Sequence, residues 1–375
     1  MTSDIYQKLA RHLDNLPGGY PSTESGVEQR ILQRLFTPEQ AELALHLSLL
    51  PEEARVIARR AKISDEEAER RLEEMSEKGL IFGYHAEGKS PRYQASQYIV
   101  GIYEFQLNNL NPEFVEDSEE YIPSLMNHDI WKKVPQLRTI PIGESIDVQL
   151  EVMGYEKAEE LVRVHKAFAV APCICRKSQR IIGQGCEKPL EVCLSFGDAA
   201  DFFQRNGLGR AIEQEEALNI LNIANEAGLV LQPSNSKEAT FLCCCCGDCC
   251  GVLQNLKRHP KPASIVSSPF RAILDPDICD GCLDCTIRCQ MEAVNPDNGT
   301  VAVDKDRCIG CGLCVTNCPS GAMTLMRKPE SELVPVPENW EDTSIRLGKA
   351  RGKLNTSNMV KMMLKSKVDR LLTSW

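Results

Sequence analysis

Near the N-terminus, apolar residues recur at helical spacing in three successive stretches separated by capping signals. Thr37, Pro38 and Gln40 read as N-cap, N1 and N3 of a helix whose apolar positions are Leu43, Leu47 and Leu50. A second pattern starts at Pro51 and buries Val56, Ile57 and Ala61. In the third, Ser64 and Glu67 form a capping box, Ala68, Leu72 and Met75 share a face, and Gly79 supplies the stop. Two short runs, Leu80 to Tyr84 and Arg92 to Gln94, then flank a polar turn and predict a hairpin. Further on, the pattern predicts a strand over Ile146 to Val152, a helix near Tyr155 to His165 and a helix from Gln214 to Ala227 stopped by Gly228. Asn298 and Gly299 mark a tight hairpin turn. Near the C-terminus, Met359, Val360, Met363, Leu364, Val368, Leu371 and Leu372 form an apolar stripe, expected to lie opposite the lysines of the same helix.

Three helices followed by a hairpin resemble a winged helix-turn-helix over Val27 to Ala95. Its third helix is acidic: Asp65, Glu66, Glu67, Glu69, Glu73, Glu74 and Glu77 stand against Arg70, Arg71 and Lys78. Negative charge where a recognition helix must meet phosphates argues for protein contact rather than DNA binding. The formal net charge of −10 points the same way. Eight Lys and Arg from Arg346 onward, against Asp369 alone, form a basic tail on a more acidic body; the tail suits docking on protein or contact with a membrane surface.

A membrane span needs about 20 consecutive apolar residues, and the run from Ala167 to Cys175 is far shorter. The first residues show no apolar leader segment, so a cytoplasmic location is expected. In a reducing compartment the eighteen cysteines are then metal ligands or redox thiols rather than a disulfide framework.

The cysteines fall into two fields. In the C-terminal one, C-x2-C-x2-C-x3-C occurs twice, as Cys279, Cys282, Cys285 and Cys289 and again as Cys308, Cys311, Cys314 and Cys318, with one Gly and two Asp repeated in register. This duplicated motif, its second copy followed by Pro319, resembles the bacterial-type dicluster 2[4Fe–4S] ferredoxins. The resemblance implies two [4Fe–4S] clusters with crossed ligands: Cys279, Cys282, Cys285 and Cys318 on one, Cys308, Cys311, Cys314 and Cys289 on the other. Gln290 stands where the first copy would ordinarily carry Pro. Asp275, Asp277, Asp280 and Asp284 around the first site, against Ile309, Gly312 and Leu313 around the second, should make the first cluster the harder to reduce.

The second field comprises Cys173, Cys175, Cys186 and Cys193 and the dense run Cys243 to Cys250. Its thiolates suit a further iron–sulfur cluster, possible in a non-cubane form, or zinc, and Arg176, Lys177 and Arg180 favour their ionisation. Adjacent cysteines point in different directions, so the preferred ligands are Cys173, Cys186 and Cys193 with members of Cys243, Cys245, Cys246 and Cys249; Cys175 is a further candidate. The six histidines show no paired ligand spacing, and Gly207 to Arg210 is too short for a nucleotide fingerprint.

A C-x-C-R segment, C-L-x-F-G and a cysteine-rich run ahead of a dicluster ferredoxin resemble multidomain iron–sulfur proteins of anaerobic microbes. The expected fold is α+β and multidomain: a lead (1–26), a winged-helix-like domain (27–98), a mixed segment (99–170), a cysteine-rich metal-binding domain (171–262), a dicluster ferredoxin domain (263–330), and a linker with a basic amphipathic tail (331–375). The expected function is relay of single electrons between a partner oxidoreductase and a ferredoxin or membrane-linked acceptor, with substrate chemistry in the partner because no flavin or nicotinamide motif is present. A redox-sensing transcription regulator, a reductase acting at the cysteine-rich cluster and a zinc-stabilised interaction protein are the alternatives.

Overall fold

The computed structural model describes residues 2–147 and 151–373, and the fold mixes helix and sheet. Two compact units emerge, neither contiguous in sequence: one combines residues 1–125, 201–209 and 344–375, the other 126–200 and 210–343. No described helix is long and apolar enough to cross a membrane.

In the first unit, helices α1 (Thr2–Asp14), α2 (Val27–Leu35), α3 (Pro38–Ala44), α4 (Ala54–Ala61) and α5 (Asp65–Glu77) are joined by an antiparallel sheet of β1 (Glu52–Glu53), β2 (Ile81–Tyr84) and β3 (Arg92–Ala95), in the order β1-β3-β2. The capping box at Thr37 and Gln40 forms in full. At Ser64 only half of one forms: the hydroxyl accepts from the Glu67 amide at 3.2 Å, but the Glu67 carboxylate turns to Arg70 and Arg71. Two guanidiniums within one helical turn outcompete one backbone amide for that carboxylate. Val56, Ile57, Leu72 and Met75 are fully buried, and Gly79 ends α5 with φ +68°.

The tail helix, Thr356–Leu372, departs from expectation. Its apolar stripe is not opposite the lysines and is not buried: Val360, Met363, Leu364, Val368, Leu371 and Leu372 are all about half exposed or more, alongside exposed Lys361, Lys365 and Lys367. The helix docks through polar groups instead. Arg60 is held by Glu52 (2.6 and 2.7 Å) and by Asp369 (2.7 Å), and Ser366 is buried. Pairing of the nearly buried Arg60 with two carboxylates fixes which side of the helix faces inward.

The second unit holds every cysteine. Its five-stranded antiparallel sheet comprises β4 (Phe168–Pro172), β5 (Glu191–Phe196), β6 (Arg210–Ala211), β7 (Val230–Pro233) and β8 (Phe241–Cys245), in the order β6-β4-β5-β8-β7. Helix Gln214–Glu226 ends before Gly228 as expected. A short 3-10 turn, Gly154–Glu156, and helix Ala158–Arg163 occupy the segment read as one helix, while the strand expected over Ile146 to Val152 falls partly outside the described residues. The duplicated motif lies on two antiparallel pairs, β9 (Phe270–Leu274) with β12 (Met323–Arg327) and β10 (Val294–Asp297) with β11 (Thr300–Val303). Asp297 pairs with Thr300, so Asn298 (φ +44°) and Gly299 (φ +87°) form the two-residue turn.

The duplication persists in backbone conformation. Left-handed residues recur at matching places in the two copies: Gly281 and Gly310, Leu283 and Gly312, Glu292 and Gly321. The first copy thus places Leu and Glu where the second uses Gly, at a steric cost. Gly310 is left no alternative, because a Cβ there would collide with the carbonyl of Phe270.

Candidate metal centres

In each copy of the motif, two cysteines stand on a loop, a third lies in a single-turn helix and the fourth follows it. Those helices are Asp284–Arg288 and Leu313–Thr316. Cys289 does not join its own copy. It lines one cavity with Cys308, Cys311 and Cys314, enclosed by Met291, Val294, Ile309 and Leu313, of about 370 Å³ counting its mouth. Backbone amides aim at two of these thiols, Ala293 at Cys289 (3.2 Å) and Ala272 at Cys308 (3.3 Å). Burial raises the Cys311 thiol to about 12, with Cys289 the next contributor, and burial followed by Cys311, Cys308 and Cys289 pushes Cys314 well up. Four thiols around one apolar space, those of Cys308, Cys311 and Cys314 costly to ionise alone, fit a cationic iron–sulfur core that would draw their charge.

The other quartet is wetter. Cys282 is exposed and Cys285 buried; burial raises the Cys285 thiol first, then Cys318, Cys282 and Cys279. Cys318 therefore lies among the thiols of the first copy. The Asp280 carboxylate accepts from the Cys282 amide at 3.2 Å, and Asp275, Asp277 and Asp284 are exposed nearby in sequence. Beside the enclosed quartet stands Lys328, 8% exposed; burial lowers its ammonium while Cys308 pulls the other way.

In the cysteine-rich sheet, strand register brings distant cysteines together. Cys193 on β5 pairs directly with Cys243 on β8, and alternation puts Cys245 on the same face and Cys244 on the other. Thiol contacts then run in a row: Cys193 to Cys243, Cys243 to Cys245, Cys245 to Cys250, Cys250 to Cys175 and Cys175 to Cys173. Cys173 and Cys250 are N-caps of helices Ile174–Ile181 and Gly251–Arg258. A hydrogen bond from Cys175 draws the Cys250 thiol down to about 5, and one from Cys193 draws Cys243 well down. Cys250, absent from the sequence-derived ligands, is central to this row; its place beyond a C-x2-C pair gave no signal.

Cys186, Cys246 and Cys249 form a separate trio, with all three sulfurs within 4.8 Å of one another and Cys186 to Cys246 at 3.8 Å. The Cys249 thiol brings Cys246 down to about 5. Arg176, fully buried, donates from Nη1 to the Cys244 carbonyl (3.1 Å) and faces the thiols of Cys173, Cys246 and Cys245. Gln290, the departure from the ferredoxin pattern, accepts from the Gly247 amide at 2.7 Å, between Cys246 and Cys249. The residue following Cys289 thus abuts the trio's turn.

Residues 301–324 match the family described as 4Fe-4S binding domain. The pyruvate synthase subunit PorD of Methanocaldococcus jannaschii is 42% identical over 60 residues, 16% of this chain and 70% of that protein. The electron transport protein HydN of Escherichia coli is 43% identical over 54 residues, 14% of this chain and 31% of HydN. One component of the ferredoxin:CoB-CoM heterodisulfide reductase of Methanosarcina mazei is 37% identical over 73 residues, 14% of this chain and 9% of that component. The chain thus spans about two thirds of the first relative but a third or less of the other two. No solved structure matches it. Matching sequence, duplicated cysteine spacing and a four-thiol cavity agree: through its C-terminal repeat the chain belongs to the 4Fe–4S ferredoxin family and binds iron–sulfur.

Proposed function

We propose that the protein relays single electrons between a partner oxidoreductase and a ferredoxin or membrane-linked acceptor, as a subunit or dedicated partner. The placing of Cys289 in the cavity of Cys308, Cys311 and Cys314 carries this reading. It favours two [4Fe–4S] clusters with crossed ligands, Cys279, Cys282, Cys285 and Cys318 holding the other, so that each copy grips both. Bound there, a [4Fe–4S] cluster supplies one-electron oxidation and reduction. The exposed Cys282 edge gives a partner close approach, and the Met291, Val294, Ile309 and Leu313 walls keep water from the inner site. Through the Gln290 to Gly247 hydrogen bond, the inner site adjoins the cysteine-rich sheet, whose row of Cys173, Cys175, Cys193, Cys243, Cys245 and Cys250 we read as holding a further iron–sulfur cluster.

The N-terminal helices and hairpin serve as a winged-helix-like protein-contact platform in this reading. Arg70 and Arg71 of α5 are engaged by Glu67 and Glu74, which leaves little positive charge for phosphates. The tail helix offers an anionic membrane surface an apolar ridge bordered by lysines, its one acid being turned inward to Arg60. Free thiols throughout agree with a reducing, cytoplasmic setting.

Iron and sulfide quantification with paramagnetic resonance on oxygen-free protein tests the reading. About eight irons correspond to the ferredoxin pair and about twelve to a further cluster. Cys289→Ser should disturb the cluster of the second copy and Cys318→Ser that of the first. Iron-free protein, or each variant disturbing its own copy, defeats the proposal.

A further inference from the structure

Metal–thiolate bonds of about 2.3 Å at a tetrahedral ion put two sulfurs about 3.8 Å apart. Cys186 and Cys246 stand at that separation, 3.8 Å, and Cys249 completes a group whose sulfurs all lie within 4.8 Å. Sulfurs that bind different irons of one cage must sit wider, by the iron–iron edge between them. Among the described residues, no other group of three or more Cys, His, Asp or Glu closes to 4.8 Å, the ferredoxin quartets and the six-thiol row included.

The trio is also held in place. Cys246 and Cys249 occupy the C-x2-C turn that ends β8, and the Cys250 amide closes it onto the Cys246 carbonyl at 3.1 Å. Gln290 fixes the amide of Gly247 in that turn. Arg180 clamps the opposite loop, donating to the Cys186 carbonyl at 3.1 and 2.9 Å and to that of Lys188 at 3.0 Å.

Charge completes the argument. Three thiolates around a divalent ion carry one net negative charge. Arg176, fully buried, lies against the Cys246 thiol, so a negatively charged site there would balance its charge. We propose that Cys186, Cys246 and Cys249 bind one thiophilic divalent ion, Zn2+ or Fe2+, in a site separate from the six-thiol row, with Arg176 as its counter-charge. Binding displaces whatever thiol protons the trio still carries, and the fourth position of the tetrahedron is left to water or an incoming thiolate.

The inference stands apart from the electron-relay reading: it predicts one metal equivalent that neither ferredoxin quartet holds. The test uses the full chain purified without oxygen, with Cys186→Ser and Cys249→Ser beside wild type, measuring zinc and iron per chain and the ferredoxin resonance signals. Each variant should lose one equivalent of zinc or iron and keep those signals, which also report that it folds. In cobalt-loaded protein, the tetrahedral visible bands should vanish in Cys249→Ser and shift when 2-mercaptoethanol is added. Loss of three or four irons would place the trio on a cage, and unchanged metal content would make it a thiol or disulfide group; either result overturns the proposal. Loss of the ferredoxin signals with the single ion retained would instead defeat the relay.

Discussion

Lys328→Met should lower the reduction potential of the enclosed cluster far more than Asp280→Asn raises that of the exposed one. Both changes remove one unit charge beside one quartet. Lys328 is 8% exposed and faces Cys308, whereas Asp280 is exposed and hydrogen-bonded at Cys282. At roughly 8 Å, a unit charge acts with about 2 kcal/mol where the effective dielectric constant is ~20 and about 0.5 kcal/mol where it is ~80. With 59 mV per tenfold change for one electron, these become about 90 mV down for Lys328→Met and about 20 mV up for Asp280→Asn. Methionine keeps the length of the lysine stem, so packing changes little. A redox titration under argon, read by paramagnetic resonance, gives both potentials in each variant. A shift at Lys328 no larger than that at Asp280 would refute the reasoning, because burial would then not be what amplifies charge at the inner site.

Other outcomes follow from the two units taken singly. Arg327 meets Glu156 in a two-bond pair (2.7 and 3.1 Å) whose carboxylate is 5% exposed, so Glu156→Gln should cost about 3 kcal/mol, seen as a lower urea midpoint with unchanged slope. Burial alone would raise the Glu52 carboxyl, but hydrogen bonds from Arg60 and Ser366 outweigh it and hold it below the ordinary range; Asp14 is likewise held down against burial by Lys353, Tyr20 and Arg351. Carboxyls with lowered values stabilise the fold above their unfolded value of about 4 and lose that contribution as pH falls, so urea midpoints should drop below about pH 4.5, less steeply in Arg60→Met. The full chain should sediment with anionic vesicles and not with zwitterionic ones, and Leu364→Glu at an exposed position should abolish it; equal binding to both vesicle types would remove the lysines from the account.

Local signals survived folding where the deciding partners are close in sequence. The capping box at Thr37, the stop at Gly79, the turn at Asn298 and Gly299 and the motif spacing depend on neighbours within a few positions, and each reappears in the structure. The half-made box at Ser64 failed for an equally local reason, two nearby arginines. What the chain alone could not disclose came from register. Cys250 meets Cys175 only because β5, β8 and two helix N-termini converge, and Gln290 reads as a defect until Gly247 is found against it. The tail helix shows the limit of periodicity: an apolar stripe indicates which side could be buried, while Arg60 and its two carboxylates decide which side is.

The discontinuous first unit bears on biogenesis. Its helices near the N-terminus leave the ribosome early, yet Arg351, which grips Asp14, and Asp369, which grips Arg60, are made only after every cysteine has been translated. The 337 and 309 positions that separate these partners take on the order of tens of seconds to synthesise. Every cysteine has therefore left the ribosome's decoding centre before the segment that completes the first unit is made.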